Sequence, residues 1–238
     1  MRIEVLADAD AVARKAAAVI AMEARRAVAA RGRFVMAISG GHTPWVMLRA
    51  LAEEDMPWAS VHVFQVDERV APEGHADRNL MHLRASLLEH APLPAGQIYA
   101  MPVELSDLQA AAAKYAAELE SIAGTPPVLD LVHLGLGPDG HTASLVPGDP
   151  VLDVTDRDVA VTGVYQGRNR LTLTYRVINR ARLILWLVTG SEKVPMYKRL
   201  QAADQSIPAG RVLQNNAVLL ADDAAAGERK SEGEREIA

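Results

Sequence analysis

Apolar positions along this chain fall into short runs, separated by longer stretches in which alanine and charged residues recur at helical spacing. "RIEVLA" predicts a first strand, and Asp8 or Asp10 is placed to cap an alanine-rich helix running to about Arg31. "RFVMAIS" predicts a second strand. It stops at Ser39-Gly40-Gly41-His42-Thr43-Pro44, where Thr43 is the expected N-cap and Pro44 the first residue of the helix "PWVMLRALAEE". "VHVFQVDE" predicts a third strand, followed by a polar loop through Gly74 and a helix near residues 79–88. Ser106 or Asp107 opens another alanine-rich helix to about Ala123, and residues 129–134 form a continuous apolar strand. Two β-like runs follow, at residues 159–165 and 170–175, and then the strand "RLILWLV".

Near-continuous apolar strands alternating with helices predict an α/β fold with a mainly parallel sheet covered by helices on both faces. No linker interrupts the alternation, so residues 1–226 are expected to form a single domain. The tail "GERKSEGEREIA" is charged and nearly without apolar residues, which predicts disorder for residues 227–238. In parallel sheets ligands bind beyond the carboxyl ends of the strands. That rule singles out four segments: residues 39–43, 67–69, 135–141 and 190–193.

Composition narrows the function. Half of the 238 residues are hydrophobic but only 4% are aromatic, so the core is expected to be aliphatic. A net charge of -5 without any block of Lys and Arg argues against a nucleic-acid partner. With no cysteine, disulfides, thiolate metal sites and cysteine nucleophiles are excluded, which fits a reducing cytoplasm. No run reaches the roughly 18 apolar residues of a membrane span. A cytoplasmic protein without a membrane partner is expected.

The stretch "LDLVHLGLGPDGHTASLVPG" holds Gly135, Gly137 and Gly140 in the spacing of a dinucleotide-binding loop. The frame for that reading is missing, because Pro138 lies inside the motif and Pro147 and Pro150 forbid a long helix after it. What remains is a buried strand that delivers Asp139 and His141 into a tight glycine-permitted loop. His141 is therefore a candidate general base.

In "AISGGHTP", glycine-permitted backbone N–H groups and a helix N-terminus suit a phosphate monoester, although an ordinary strand-to-helix turn has the same residues. The spacing of a P-loop is absent. Ala37 to Gly41 also lies one residue from a nucleophile elbow, with Ser39 as the nucleophile, but a late histidine to complete a triad is lacking. In "VDER", Asp67 and Arg69 share one face by strand alternation and suit a common cleft. Glu68 is expected in a surface ion pair. Lys193 in "GSEK" is either a phosphate counter-charge or a solvated lysine. His133 lies in an apolar strand and is expected in the core with its hydrogen bonds satisfied. His62, His75, His82 and His90 show no partner spacing, and no zinc pattern occurs.

Taken in order, "SGGHTP", "VDERV", "LGLGPDGHTASLVPG", "RLTLTYRVIN" and "VTGSEK" resemble the 6-phosphogluconolactonase family over nearly the whole chain, to about Leu220. The resemblance implies a Rossmann-like α/β fold shared with glucosamine-6-phosphate deaminase. It implies no cofactor, and hydrolysis of a phosphorylated sugar lactone in the oxidative pentose phosphate pathway; no metal is expected, and a monomer or small homo-oligomer is. It also implies that Ser39, Gly40, Gly41, His42 and Thr43 line a phosphate site, with Arg170 and Lys193 as cationic partners. Asp67 and Arg69 would face the sugar ring and lactone, and His141 would activate water with Asp139 orienting the site.

Three departures touch the rim. His42 stands where the family often has a small polar residue, Val146 where an aromatic is usual, and "ADRNL" replaces a Ser-Asn pair. Deaminase and isomerase relatives carry a carboxylate soon after the Asp-Gly-His element. Here none occurs before Asp149, which favours lactone hydrolysis. A sugar-phosphate sensor domain of a regulator would be expected to follow a DNA-binding helix-turn-helix, and this chain opens on its own first strand.

Overall fold

The computed structural model describes residues 1–227; the expected disordered tail therefore lies outside the described residues except for Gly227. The chain begins with β1 (Arg2–Leu6) and the 23-residue α1 (Ala9–Arg31). Of the two candidate caps Asp8 is used: its carboxylate accepts the Ala11 N–H at 2.8 Å, an interaction worth about 1 kcal/mol to a helix. Next come β2 (Phe34–Ile38), α2 (His42–Ala52) and β3 (Val61–Gln65). The short β4 (Asp67–Arg69), α3 (Asn79–Leu83) and β5 (Ile98–Tyr99) lead to α4 (Leu108–Ala123). Asp107 caps α4 by accepting from the N–H groups of Gln109 and Ala110. The second half holds β6 (Leu131–Gly135), β7 (Val159–Val161), β8 (Arg170–Leu173), α5 (Tyr175–Ile178) and β9 (Leu183–Val188). It closes with α6 (Val194–Gln201), β10 (Ala217–Asp222) and α7 (Asp223–Ala226).

Seven strands form one parallel sheet in the order β1-β10-β9-β6-β2-β3-β5. The central strands β2 and β9 are apolar on both sides because each face is covered. In β2, Phe34, Met36 and Ile38 pack with α1 and α2, while Val35 and Ala37 pack with α4 on the opposite face. From β2 the chain moves outward to β3 and β5; from β6 it moves the other way to β9 and β10. The gap between β2 and β6 is thus the point where the winding reverses, the place where such sheets leave a crevice.

Two expectations are corrected here. "VHVFQVDE" is not one strand: Val66 donates its N–H to Ile38 O of the large sheet at 3.0 Å and accepts from Leu173 N of β8 at 2.8 Å. The chain changes sheets at that residue, and β4 joins β8 and β7 in a separate antiparallel sheet. The second correction concerns α2, which starts at His42 with Gly41 as its N-cap and no side-chain cap. Thr43 is drawn away because its hydroxyl lies 2.7 Å from that of Thr189, across the winding reversal.

Candidate active site

The four strand-end segments expected from the sequence meet around one cleft of about 550 Å³ beyond the carboxyl ends of the strands. Ser39, Gly40, Gly41 and Thr43 come from the end of β2, Asp67 and Arg69 from β4, Gly135 to Pro138 and His141 from the end of β6, Arg170 from β8, and Gly190 and Lys193 from the end of β9. His42 is the first residue of α2. Asp139 does not line the cleft, but it holds a residue that does.

His141 Nδ1 lies 2.5 Å from Asp139 Oδ1, which also accepts the His141 backbone N–H at 3.1 Å. A carboxylate here can only accept, so Nδ1 is the donor, and in the neutral ring the lone pair is on Nε2. Burial would raise the pKa of Asp139, but the hydrogen bonds from His141 and Tyr165 outweigh it and hold the carboxyl below its usual range. The loop folds back so closely that a Cβ on Gly137 would overlap the His141 ring. Glycine at that position is what lets the imidazole lie against its own loop.

Across the cleft, Gly41 has φ 122°, open to glycine and strained for other residues, and it turns the chain into α2. The first N–H groups of that helix and its positive end face the cleft, the geometry that binds an anion. Gly40 is required for another reason. A side chain there would collide with Asn79, whose amide donates to Asp67 O at 2.9 Å.

The charges are arranged unequally. Asp67 is 5% exposed, and its carboxylate is held by the Ser144 hydroxyl at 2.6 Å. Asp222 accepts Gly190 N–H and Ala225 N–H. Both carboxylates are therefore satisfied by neutral donors. Arg69 and Arg170, by contrast, each keep a buried Nε with no partner among the described residues. Burial pulls the pKa of Arg170 down, with Asp67 opposing and Arg69 adding to the fall. Lys193 is partly buried, and its only ion pair among the described residues is a long one of 3.9 Å to Glu192. Among the described residues the buried charged groups of the cleft left uncommitted are the two arginines, beside one unpartnered acceptor, Asn79 Oδ1, and that balance suits an anionic ligand.

The nucleophile reading of Ser39 does not match this geometry. Its hydroxyl donates to His133 O at 2.9 Å, and no imidazole or carboxylate among the described residues accepts from it. His133 is fully buried as expected, and burial pushes its imidazole down to about 3. It is only half satisfied: Nδ1 accepts the Ser39 N–H at 3.3 Å, while Nε2 has no partner among the described residues.

Glu68 is a correction. Instead of pairing at the surface it is fully buried, accepting from Gln65, Arg69, Asn79 and Leu80 and pairing with Arg78 at 3.2 Å. Alternation that turns Asp67 and Arg69 to the cleft sends Glu68 the other way, into the α3 N-terminus. Sequence reasoning did not single out Asn79, Thr189 or Asp222 as cleft residues. Asp222 had a legible signal, since it ends an apolar run at a strand's carboxyl end, as Asp67 follows β3.

A parallel sheet with a glycine-built loop suited to an anion and a carboxylate-held histidine at its winding reversal defines an α/β fold with an enzyme-like crevice at the strand ends. The chain belongs to the family described as glucosamine-6-phosphate isomerases/6-phosphogluconolactonase, which it matches over residues 7–220. It is 36% identical over 232 residues to a 6-phosphogluconolactonase of Nostoc sp., covering 94% of this chain and 96% of the relative. A crystal structure of 6-phosphogluconolactonase from Thermotoga maritima is similar at a TM-score of 0.82 and 27% identity, covering 93% and 98% of the two chains. A monomeric glucosamine-6-phosphate deaminase shares the fold at a TM-score of 0.85, with 18% identity, over 96% of this chain and all of that one.

Proposed function

We propose that this chain hydrolyses 6-phospho-D-glucono-1,5-lactone to 6-phosphogluconate, a step of the oxidative pentose phosphate pathway. The observation that carries the reading is the Asp139-held His141 set in one cleft with an anion-binding loop and two arginines, with no second carboxylate following it. The next one, Asp149, is turned away: it accepts the N–H groups of Val151 and Gly163 at 2.8 Å each and does not line the cleft. An isomerase or deaminase needs an acidic group there to move protons on an opened sugar.

In the proposed reaction the phosphate rests on residues 39–43, with His42 at the helix start and with Lys193 and Arg170 as counter-charges. His141 Nε2 takes a proton from water as the water oxygen adds to the lactone carbonyl. Arg69 stabilises the oxyanion that forms, and Asp67 holds the ring hydroxyls. Collapse breaks the bond to the ring oxygen, which receives the proton from His141. Every step uses side chains of this chain and water.

The reading takes the enzyme to act in the cytoplasm, as a monomer or small homo-oligomer, on a small molecule and without nucleic acid or membrane. The cysteine-free sequence and its charge of -5 support this, and no helix among the described residues is long and apolar enough to cross a membrane. The test is to supply freshly made 6-phosphogluconolactone and, separately, glucosamine 6-phosphate, following acid release above the spontaneous rate and ammonia release. Ammonia without accelerated acid release overturns the assignment in favour of a deaminase.

A further inference from the structure

Between β7 and β8 the chain makes a tight hairpin whose tip reaches into the site. Tyr165 N–H donates to Arg168 O at 2.9 Å, and Arg168 N–H returns to Tyr165 O at 3.3 Å. The two residues between them, Gln166 and Gly167, have φ of 51° and 79°. Two successive positive φ values match the right-handed twist of a hairpin, and at Gln166 they are strained. The surrounding contacts hold that conformation in place. Arg168 Nε donates to Asp77 Oδ2 at 2.8 Å and pins the tip to the loop after β4, while Gln166 Oε1 accepts from Arg170 Nη2 at 3.0 Å.

Tyr165 itself meets three groups of the site. Its hydroxyl donates to Asp139 Oδ2 at 3.1 Å. Its ring meets the His141 ring edge to face, with centroids 5.5 Å apart, and the Arg170 guanidinium lies 4.9 Å from its centroid. The backbone forms the turn without needing this particular side chain, so its contacts call for another account.

We propose that Tyr165 is a positioning residue for the Asp139–His141 pair, acting through Asp139. A carboxylate offers two oxygens to an imidazole, and either can take the Nδ1 proton. By occupying Oδ2, Tyr165 leaves Oδ1 for His141 and sets the plane of the imidazole, so that Nε2 is presented to the cleft. Burial and the neighbouring Asp139 push the Tyr165 hydroxyl up, so it remains a donor at working pH.

The inference rests on His141 being the base of the lactone reaction. The titratable and charged groups around His141 are Asp139 of its own loop, Tyr165 of the hairpin, Arg170 of β8, Asp67 and Arg69 of β4, and the Glu192–Lys193 segment after β9. Among the described residues only Tyr165 donates to the second oxygen of Asp139. Without that donor Asp139 has more negative charge to offer an imidazolium, so protonated His141 is stabilised and the acid limb of kcat moves to higher pH.

The test is Tyr165→Phe, which removes the hydroxyl and keeps the ring contacts to His141 and Arg170. The expected result is a kcat lower by about 3- to 30-fold with KM changed by less than about twofold, and an acid limb displaced upward by several tenths of a pH unit. The 15N titration of His141 in the substrate-free protein is expected to move in the same direction, with the melting temperature unchanged. An unchanged His141 titration, a wild-type kcat, or a loss carried by KM alone overturns the proposal. His141→Ala separates the two claims. If it stays crippled while Tyr165→Phe is silent, only the role of Tyr165 falls. If it retains kcat, the base assignment falls, and the 15N titration still decides whether Tyr165 acts on the pair.

Discussion

Arg69 and Arg170 lie directly opposite one another in the antiparallel pair of β4 and β8. Like charges in that register destabilise a sheet, and here both side chains line the cleft with a buried Nε that has no partner among the described residues. An anionic ligand in the cleft, with its phosphate at Arg170 and its lactone at Arg69, relieves both problems. Arg170→Gln is therefore expected to weaken binding of 6-phosphogluconate by about tenfold or more, in line with roughly 1.5 to 3 kcal/mol for a hydrogen bond to a charged group. The ligand-free melting temperature should hold or rise. Calorimetry showing unchanged affinity with a melting temperature lower by about 5 °C or more would make Arg170 a structural residue.

Lys193, after β9, lines the same cleft and is assigned to the phosphate alone. Lys193→Ala should raise KM by a factor matching roughly 1.5 to 3 kcal/mol and leave kcat nearly intact. Gluconolactone without the phosphate should be a poor substrate for the wild type and respond little to the same substitution. Equal kcat/KM for the two lactones removes the basis for the anion loop.

His141→Ala should lower kcat by about 10² to 10⁴ while KM changes little, because the phosphate contacts are untouched. Ser39→Ala should keep substantial kcat, since the hydroxyl it removes donates to a carbonyl and to no imidazole or carboxylate among the described residues. Trapping a covalent acyl-enzyme on Ser39, with His141→Ala active, would establish the serine mechanism instead. Spontaneous lactone opening is subtracted at each pH.

Acid stability tests the buried imidazole. With His133 held at about 3 in the fold and an ordinary imidazole near 6.5 in the unfolded chain, the unfolded state binds a proton that the folded state refuses. Stability is therefore lost as pH falls from about 6.5 toward about 3, by roughly 2 to 3 kcal/mol at pH 4.5. His133→Asn keeps an acceptor for the Ser39 N–H and removes the titration. Urea unfolding at neutral and acid pH should show a smaller acid loss in the variant than in the wild type, and equal losses would mean that His133 takes up its proton without unfolding.

The Glu68–Arg78 pair is fully desolvated on both sides, with Arg78 2% exposed. Replacing one member of such a pair leaves the other charge uncompensated and costs about 3 to 5 kcal/mol. Glu68→Gln should destabilise by about that amount in denaturant unfolding, and its Asn79 and Leu80 contacts should loosen with it. A loss below about 1 kcal/mol would show that the partly exposed Glu104, which also pairs with Arg78 at 2.6 Å, carries the balance.

The sequence by itself determined the layered α/β architecture, because continuous apolar strands such as "RLILWLV" have no stable place except between two layers of helices. It also determined where chemistry could sit. Glycines at strand ends in "AISGGHTP" and "LGLGPDGH" mark places where the backbone turns sharply or approaches a neighbour, and Asp67 and Arg69 share a face by simple alternation. These are local properties, readable from neighbours in the chain.

What the tertiary structure decided depends on partners far apart in sequence. Val66 reads as the middle of one strand, yet its two hydrogen bonds go to Ile38 in one sheet and Leu173 in another, and only that division aims Asp67 at the cleft. Thr43 has the chemistry of an N-cap but is taken by Thr189 across the winding reversal. Glu68 has the composition of a surface residue but becomes the buried acceptor for the start of α3, because the face opposite Asp67 and Arg69 points inward. Tyr165 carries no motif, and its link to Asp139 exists only because a two-residue turn folds β7 and β8 back over the histidine loop. Periodicity and turn chemistry are set by adjacent residues, whereas the competition among hydrogen-bond partners is settled only when the sheets have been assembled.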